Sequence, residues 1–425
     1  MSFQGYKIKL IVHRGAHEIG GNCVEISTGY TTILMDVGLP LSFNFDDEIE
    51  NVLPQPLFEE LRSGKKVVDG ILLSHPHLDH YGLISALPES IPVYCGRSAA
   101  NLIRISQLMN PRITLPEKLQ TFESKDHLQI GDIAIRPYLM DHSAFDSYAF
   151  LVEVHGKSIF YTGDFRGHGR KGKLLDRLAK RPPHVNILMT EGTKIIPDTS
   201  EIFCTEEDLE KEFIDVIDKA ESLVFVTAPS QNIDRIVTIF RAVKRTGRKF
   251  IIDPYTAEVL DCLDRYPRIP KTSWPRIRVA FSRPIAETLE KAGRTDILEK
   301  HRKNGIRWDY INERRNEYVI LFRPSALGPV KKYLDIAQAI WIYSMWPGYL
   351  EKSHSLKHLK KFFKDSGVKY NFIHTSGHAK VADIKKLVKA LNPETIVPIH
   401  SFHTEEFTKF FDNVRLVKDR EVVEV

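Results

Sequence analysis

Short apolar runs broken by turn residues dominate the first two hundred positions. Residues 7–13, 22–27, 31–36 and 67–73 read as strands, as do 133–139, 148–153, 158–162 and 186–190, and a helix is expected at 56–63. From Thr205 the pattern becomes an alternation of helix and strand. Helices are expected at 206–221, 232–246 and 257–266, with strands at 223–227 and 249–252 between them. Such alternation predicts a parallel sheet with covering helices. Proline-broken, basic sequence follows over 267–284. The alternation then resumes, with a strand at 370–374, an amphipathic helix carrying Ile384, Leu387, Val388 and Leu391 at helical spacing, and a strand at 395–399. The expected domains are 1–200, an inserted 201–350, and a completing part at 351–425.

The 425 residues, 42% hydrophobic and 27% charged, have the composition of a globular chain rather than a disordered or disulfide-framework one. No apolar stretch approaches the roughly 20 residues of a membrane span, and the start lacks a secretory pattern, so a cytoplasmic location without membrane attachment is expected. The four cysteines form no C-x-x-C pair and read as reduced, buried side chains. A net charge of +5 permits a polyanionic partner without requiring one.

The 17 histidines are unevenly placed. Ser74-His75-Pro76-His77-Leu78-Asp79-His80 directly follows an apolar strand and sets three imidazoles beside a carboxylate, a donor set suited to zinc or a similar divalent ion. Asp141-His142-Ser143, Thr162-Gly163-Asp164 and Pro398-Ile399-His400 each stand where another apolar run stops. For any one of them a turn or cap role would suffice; their joint recurrence argues for convergence on one edge. Asp36, ending a further strand, reads as a carboxylate that orients ligand histidines from behind.

H-x-H-x-D-H after a strand, followed by separate His and Asp motifs, resembles the metallo-β-lactamase superfamily. With the inserted alternating domain, Ser376-Gly377-His378-Ala379 and Val397-Pro398-Ile399-His400, the chain looks like the β-CASP nuclease branch, and its motif wording is closest to ribonuclease J-like enzymes. The resemblance runs from about His13 to about Phe407. It implies an α/β fold, the metallo-β-lactamase αββα sandwich with an inserted parallel α/β β-CASP cap. It implies two divalent metal ions, zinc first and manganese as alternative, with His75, His77 and His142 on one and Asp79, His80 and His400 on the other. Asp164 would bridge them. Two ions about 3.5–4 Å apart suit in-line displacement at a phosphodiester. His378 falls on a late family motif and Glu191 on an acidic one, which implies a general acid and its orienting partner.

The implied activity is hydrolysis of RNA, single-stranded by preference, leaving 5′-phosphate ends by internal cutting, 5′-exonuclease action or both. In the family, histidine at the last motif accompanies RNA substrates, and His400 stands there. DNA is the rival polymer, and a small ester or nucleotide substrate or a catalytically silent RNA-binding scaffold are the other readings. A homodimer is left open. In the inserted domain Ser230 and Asn232, at a strand end opening the helix with Arg235, together with Ser325 and Ser376, are candidate substrate contacts. Arg265, Arg268, Lys271, Arg276, Arg278 and Arg283, interleaved with Tyr266, Trp274 and Phe281, form a candidate backbone-tracking stretch, against the blander reading of a solvated surface. The chain departs from the family wording at Ser401-Phe402-His403 and at Arg323-Pro324-Ser325-Ala326-Leu327-Gly328, and its end at Val425 leaves little room for the extra C-terminal domain of ribonuclease J.

Overall fold

The computed structural model describes residues 7–44, 47–117, 119–197 and 203–425. Those up to 197, together with Gly377–Val425, form one unit, and Phe203–Ser376 forms a second. The expected division at 200/201 lies outside the described residues.

In the first unit, Lys9–Arg14, Cys23–Ser27 and Thr32–Met35 pair antiparallel in succession. Gly70–Leu73, Val93–Gly96 and Leu119–Phe122 then add in parallel, and Val422–Glu424 joins the free side of the first strand. A second sheet runs in the order Thr395–Ile399, Ile187–Glu191, Lys157–Tyr161, Ser147–Val154, Ile133–Met140, Leu128–Ile130. The period-two alternation of these strands gives each sheet one inward apolar row. Leu10, Val12, Val24, Ile26 and Ile33 of the first sheet share one core with Ile135, Phe150, Val152, Ile159 and Met189 of the second. Each such side chain, fully buried, contributes about 1.5–3 kcal/mol.

Helices cover both outer faces. Leu57, Phe58 and Leu61 of Leu57–Arg62, with Ala100 and Ile103 of Arg97–Ser106, pack on Leu34, Ile71 and Leu73. Leu175 and Leu178 of Lys173–Lys180, with Ile384, Leu387 and Leu391 of Val381–Leu391, pack on Leu151, Phe160, Leu188 and Ile396. The result is an αββα sandwich.

The second unit is a seven-stranded, all-parallel sheet in the order Gly305–Ile306, Ile277–Ala280, Lys249–Ile252, Tyr318–Leu321, Val224–Thr227, Ile340–Tyr343, Lys369–Phe372. Its helices start where the caps dictate. Thr205 and Asp208 form a capping box for Glu206–Asp218, and Asn232 caps Ile233–Arg245. The helix expected at 257–266 instead spans Pro254–Asp261, because Asp253 accepts from the Thr256 amide and Pro254 pre-sets the first turn. The insertion also extends past the expected limit of 350. Lys369–Phe372 pairs with Ile340–Tyr343, so the late strand belongs to this sheet and the unit ends at Ser376. No helix among the described residues is long and apolar enough to cross a membrane. Cys23 and Cys95 are buried, whereas Cys204 and Cys262 are only half-buried.

Candidate metal centre

The two sheets of the sandwich end their strands at a common edge, and the chemistry-bearing residues are the ones that follow. Asp36 and Ser74 succeed neighbouring parallel strands, His142 succeeds Ile133–Met140, Asp164 succeeds Lys157–Tyr161, Glu191 ends its strand, and His400 succeeds Thr395–Ile399. Asp36 and His400 both adopt positive φ, 58° and 52°, turning their side chains out of the ladder at once. Gly38 is required by contact: a Cβ there would sit 1.7 Å from the Asp79 carbonyl oxygen.

Asp164 is the hub. Its Oδ2 lies 3.2 Å from His80 Nε2, 3.6 Å from His400 Nε2, 3.8 Å from His75 Nε2, 4.0 Å from His142 Nε2 and 3.5 Å from His378 Nδ1. Ligand atoms of His75, His77 and His142 all fall within 4.8 Å of one another, and so do those of Asp79, His80, Asp164 and His400. The sequence motifs thus converge in the two groups that the resemblance implies.

The far side of each ring fixes which nitrogen is the acceptor. His142 Nδ1 lies 2.6 Å from the Gly377 carbonyl oxygen, which can only accept, so Nδ1 carries the proton and Nε2 the lone pair. His80 Nδ1 faces the Asp36 carboxylate at 2.8 Å, with the same consequence. Ser74 donates its hydroxyl to Asp36 at 2.7 Å and is left to accept from His75 Nδ1 at 3.0 Å. His400 Nδ1 faces Asn22 Oδ1 at 3.0 Å. Asp36 itself also accepts from the Ser74 amide and the Tyr161 hydroxyl, each at 2.7 Å. Four imidazoles thereby present lone pairs toward Asp164, the arrangement in which outer partners orient metal ligands.

The electrostatics agree. Burial, reinforced by neighbouring imidazoles, pushes His75 and His142 well below the ordinary imidazole value. Burial lowers His77 to about 4 despite Asp79 and Asp164, and it lowers His400 as well. Burial would raise the Asp164 carboxyl, but His400, His80 and His378 outweigh it and hold it well below its usual range. His80 behaves oppositely: burial disfavours its charge, yet Asp164, Asp36 and Asp79 carry it well above the ordinary value. A buried cluster of carboxylates that forces a proton onto one imidazole is a cluster that favours a cation.

The residues fit a divalent metal on a further count. His75 Nε2, His400 Nε2 and Asp164 Oδ1 are buried without a hydrogen-bond partner among the described residues. Orphaned buried acceptors are costly unless something electropositive meets them.

Beside the group, His378 Nδ1 lies 3.1 Å from Glu191 Oε2, while Glu191 Oε1 accepts from the Phe165 and Ala379 amides. Burial opposes the His378 charge, but Glu191 and Asp164 prevail and raise it to about 9.

Sequence reasoning had passed over Asn22, Ser74, Tyr161 and the Gly377 carbonyl. None carries a type-specific signal, since each is a neutral group at a turn or strand. Other expected residues take different places. Asn232 uses its side-chain oxygen to cap its own helix, and buried Ser230 bonds Thr256 and Arg323. Arg235 is buried against Glu206 and Ser344. Ser325 and Ser376 are half-buried. In the basic stretch, Arg276, Arg278 and Lys271 donate to nearby carbonyls, Arg283 pairs with Glu287, and Trp274 packs on Phe240. His13 is tied to Glu25 at 2.8 Å and His403 pairs with Glu405 at the surface.

A family model described as "Beta-lactamase superfamily domain" matches residues 33–209, and one described as "Zn-dependent metallo-hydrolase RNA specificity domain" matches 368–405. Among curated proteins, Ribonuclease J 2 of Streptococcus pyogenes is 22% identical over 98% of this chain and 75% of its own length. Ribonuclease J of Mycoplasma genitalium is 22% identical over 92% and 67%, and that of Helicobacter pylori 22% over 92% and 56%. The fold matches a crystal structure of a protein of unknown function from Enterococcus faecalis with a TM-score of 0.81 at 19% identity, covering 99% of this chain and 100% of that one. The chain belongs to the metallo-β-lactamase superfamily, in its β-CASP branch, and is ribonuclease J-like.

Proposed function

We propose that this protein is a metal-dependent ribonuclease that hydrolyses P–O3′ bonds in single-stranded RNA and leaves 5′-phosphate ends. The observation that carries the reading is the convergence of seven donor residues around the Asp164 carboxylate, with a carboxylate-paired imidazole beside them. His75, His77 and His142 would hold one ion, Asp79, His80 and His400 the other, and Asp164 both. Divalent ions held there supply Lewis-acid stabilisation of phosphoryl charge and lower the pKa of water.

The protein's own groups supply the rest. A ribose 3′ oxygen leaves poorly unless it receives a proton. With Nδ1 tied to Glu191, the His378 imidazolium has Nε2–H to donate. Glu191 is held by two backbone amides and keeps that ring both oriented and charged. His378 is partly open to solvent, unlike the buried donor residues, which suits a group that meets a polymer. The RNA specificity domain matched over 368–405 contains both His378 and His400 and supports RNA over DNA.

The test is cleavage of a labelled RNA by the zinc- or manganese-loaded protein and by its D79A/H80A variant. The parent is expected to cut and to leave 5′-phosphates, and the variant to lose activity with its fold retained. Equal rates would contradict the assigned centre.

A further inference from the structure

The second unit carries a surface where positive charge and exposed aromatic rings coincide. Residues 346–372 hold six lysines against two acids, Glu351 and Asp365, a net +4 in a chain whose total is +5. All six lysines are exposed. Four of them, Lys357, Lys360, Lys361 and Lys364, recur at i, i+3, i+4 and i+7 on the helix His354–Asp365, so they form one stripe along it, while Leu356, Leu359 and Phe363 are buried against the sheet. Asp365 reaches Lys361 at 3.0 Å and Glu351 reaches Lys360 at 3.9 Å, exposed pairs that exchange cheaply.

The helix leads directly into the edge strand Lys369–Phe372. Tyr370 and Phe372, two residues apart on one face, are 47% and 46% exposed. Tyr370 lies against Trp341 and Trp341 against Phe363, with ring centroids 5.3 and 5.1 Å apart, so this is the face that the lysine-bearing helix covers. Tyr343, beside Phe372, donates its hydroxyl to the Trp346 carbonyl, and Trp346 and Tyr349 are also exposed, at 47% and 44%. Lys352 lies over the Trp346 ring at 5.7 Å.

A solvated helix face explains lysines alone; it does not explain four large aromatic rings left in water alongside them. Single-stranded nucleic acid satisfies both, since its phosphates take the lysines and its bases stack on the rings without regard to sequence.

We propose that the lysine stripe of His354–Asp365 and the rings of Tyr370 and Phe372 form a contact surface for single-stranded RNA on the second unit. The surface grips long substrates through their backbone and bases, and it adds affinity rather than chemistry. The identity of the polymer rests on the proposed function.

The test measures anisotropy of a fluorescein-labelled oligouridylate of about 20 nucleotides with the full chain in chelator, so that binding is read without cleavage. Changing Lys357, Lys360, Lys361 and Lys364 together to Gln is expected to weaken binding at least about tenfold. It should also flatten the slope of log Kd against log salt by about two, at roughly 0.7 per lost phosphate contact. Changing all four to Arg should restore both. Y370A/F372A is expected to weaken binding about tenfold with the slope unchanged, and neither variant should alter hydrolysis of an oligonucleotide of about four residues. Melting curves check that the variants remain folded. Unchanged affinity and slope in the Gln variant overturn the proposal. So does loss of self-association in Y370A/F372A with RNA affinity intact, which would assign the rings to a second copy, and so does binding to phosphatidylserine vesicles in place of RNA. Failure of the ribonuclease reading shows separately, as an absence of cleavage by the parent protein whatever the binding isotherm.

Discussion

His142 places its Nδ1 2.6 Å from the carbonyl oxygen of Gly377, a residue 235 positions later in the chain. The contact ties the His142 tautomer to the turn that carries His378, so the metal-facing nitrogen and the proton donor are set by one piece of backbone. A Cβ on Gly377 would lie 2.4 Å from Ser143 Oγ and 3.3 Å from His142 Cε1. G377A is therefore expected to weaken metal affinity by about 10- to 100-fold, the range seen when outer partners of ligand histidines are lost. Competition with a chromogenic chelator measures it.

Asp36 makes the second such contact. It receives four bonds, from Ser74 twice, Tyr161 and His80, and touches no solvent. D36N keeps the shape but lacks the charge that orients His80. Metal affinity should fall by about 10- to 100-fold, and thermal stability should fall as well, because an amide cannot accept from all four groups. A larger effect on metal affinity than on melting temperature is the expected signature.

Metal uptake should release protons. In metal-free protein at neutral pH, His80 carries a proton because Asp164, Asp36 and Asp79 outweigh its burial, and a bound cation must displace it. Zinc added to weakly buffered protein at pH 7 should acidify the solution, as read by a pH indicator, and H80A should release fewer protons per ion bound.

H378A should lower turnover by about 10²- to 10⁴-fold, the usual worth of a general acid, with metal content unchanged. Loss of metal instead would make His378 a ligand. In metal-free protein the His378 pKa is raised to about 9. The stability it contributes is therefore fully present below the ordinary imidazole range and is lost as pH rises through about 9. The melting-temperature gap between parent and H378A, measured in chelator, should be widest at pH 6 and close by pH 10. E191Q should shrink that gap and lower the His378 pKa observed by NMR.

Ligands were legible in the sequence where their residue type is chemically committed and sits at a strand end. His75, His77, Asp79 and His80 advertise themselves by density, while Asp164, His142 and His400 do so by following apolar runs. Asn22, Ser74 and the Gly377 carbonyl were hidden because orientation of a ring depends on tertiary approach and not on residue type. The inserted sheet was legible from alternation, but its end was not. Lys369–Phe372 has only a short, largely exposed edge strand to show, and its membership is decided by pairing with Ile340–Tyr343 across 29 positions. Ser230 and Asn232 marked a helix start correctly, and the structure spends both side chains on holding that start together.

The most direct measurement is anomalous X-ray diffraction at the zinc absorption edge from crystals of the zinc-loaded protein. The account predicts two peaks, one among His75, His77 and His142 and the other among Asp79, His80 and His400, with Asp164 touching both. Peaks absent from this edge of the sandwich, or present only elsewhere, would contradict it.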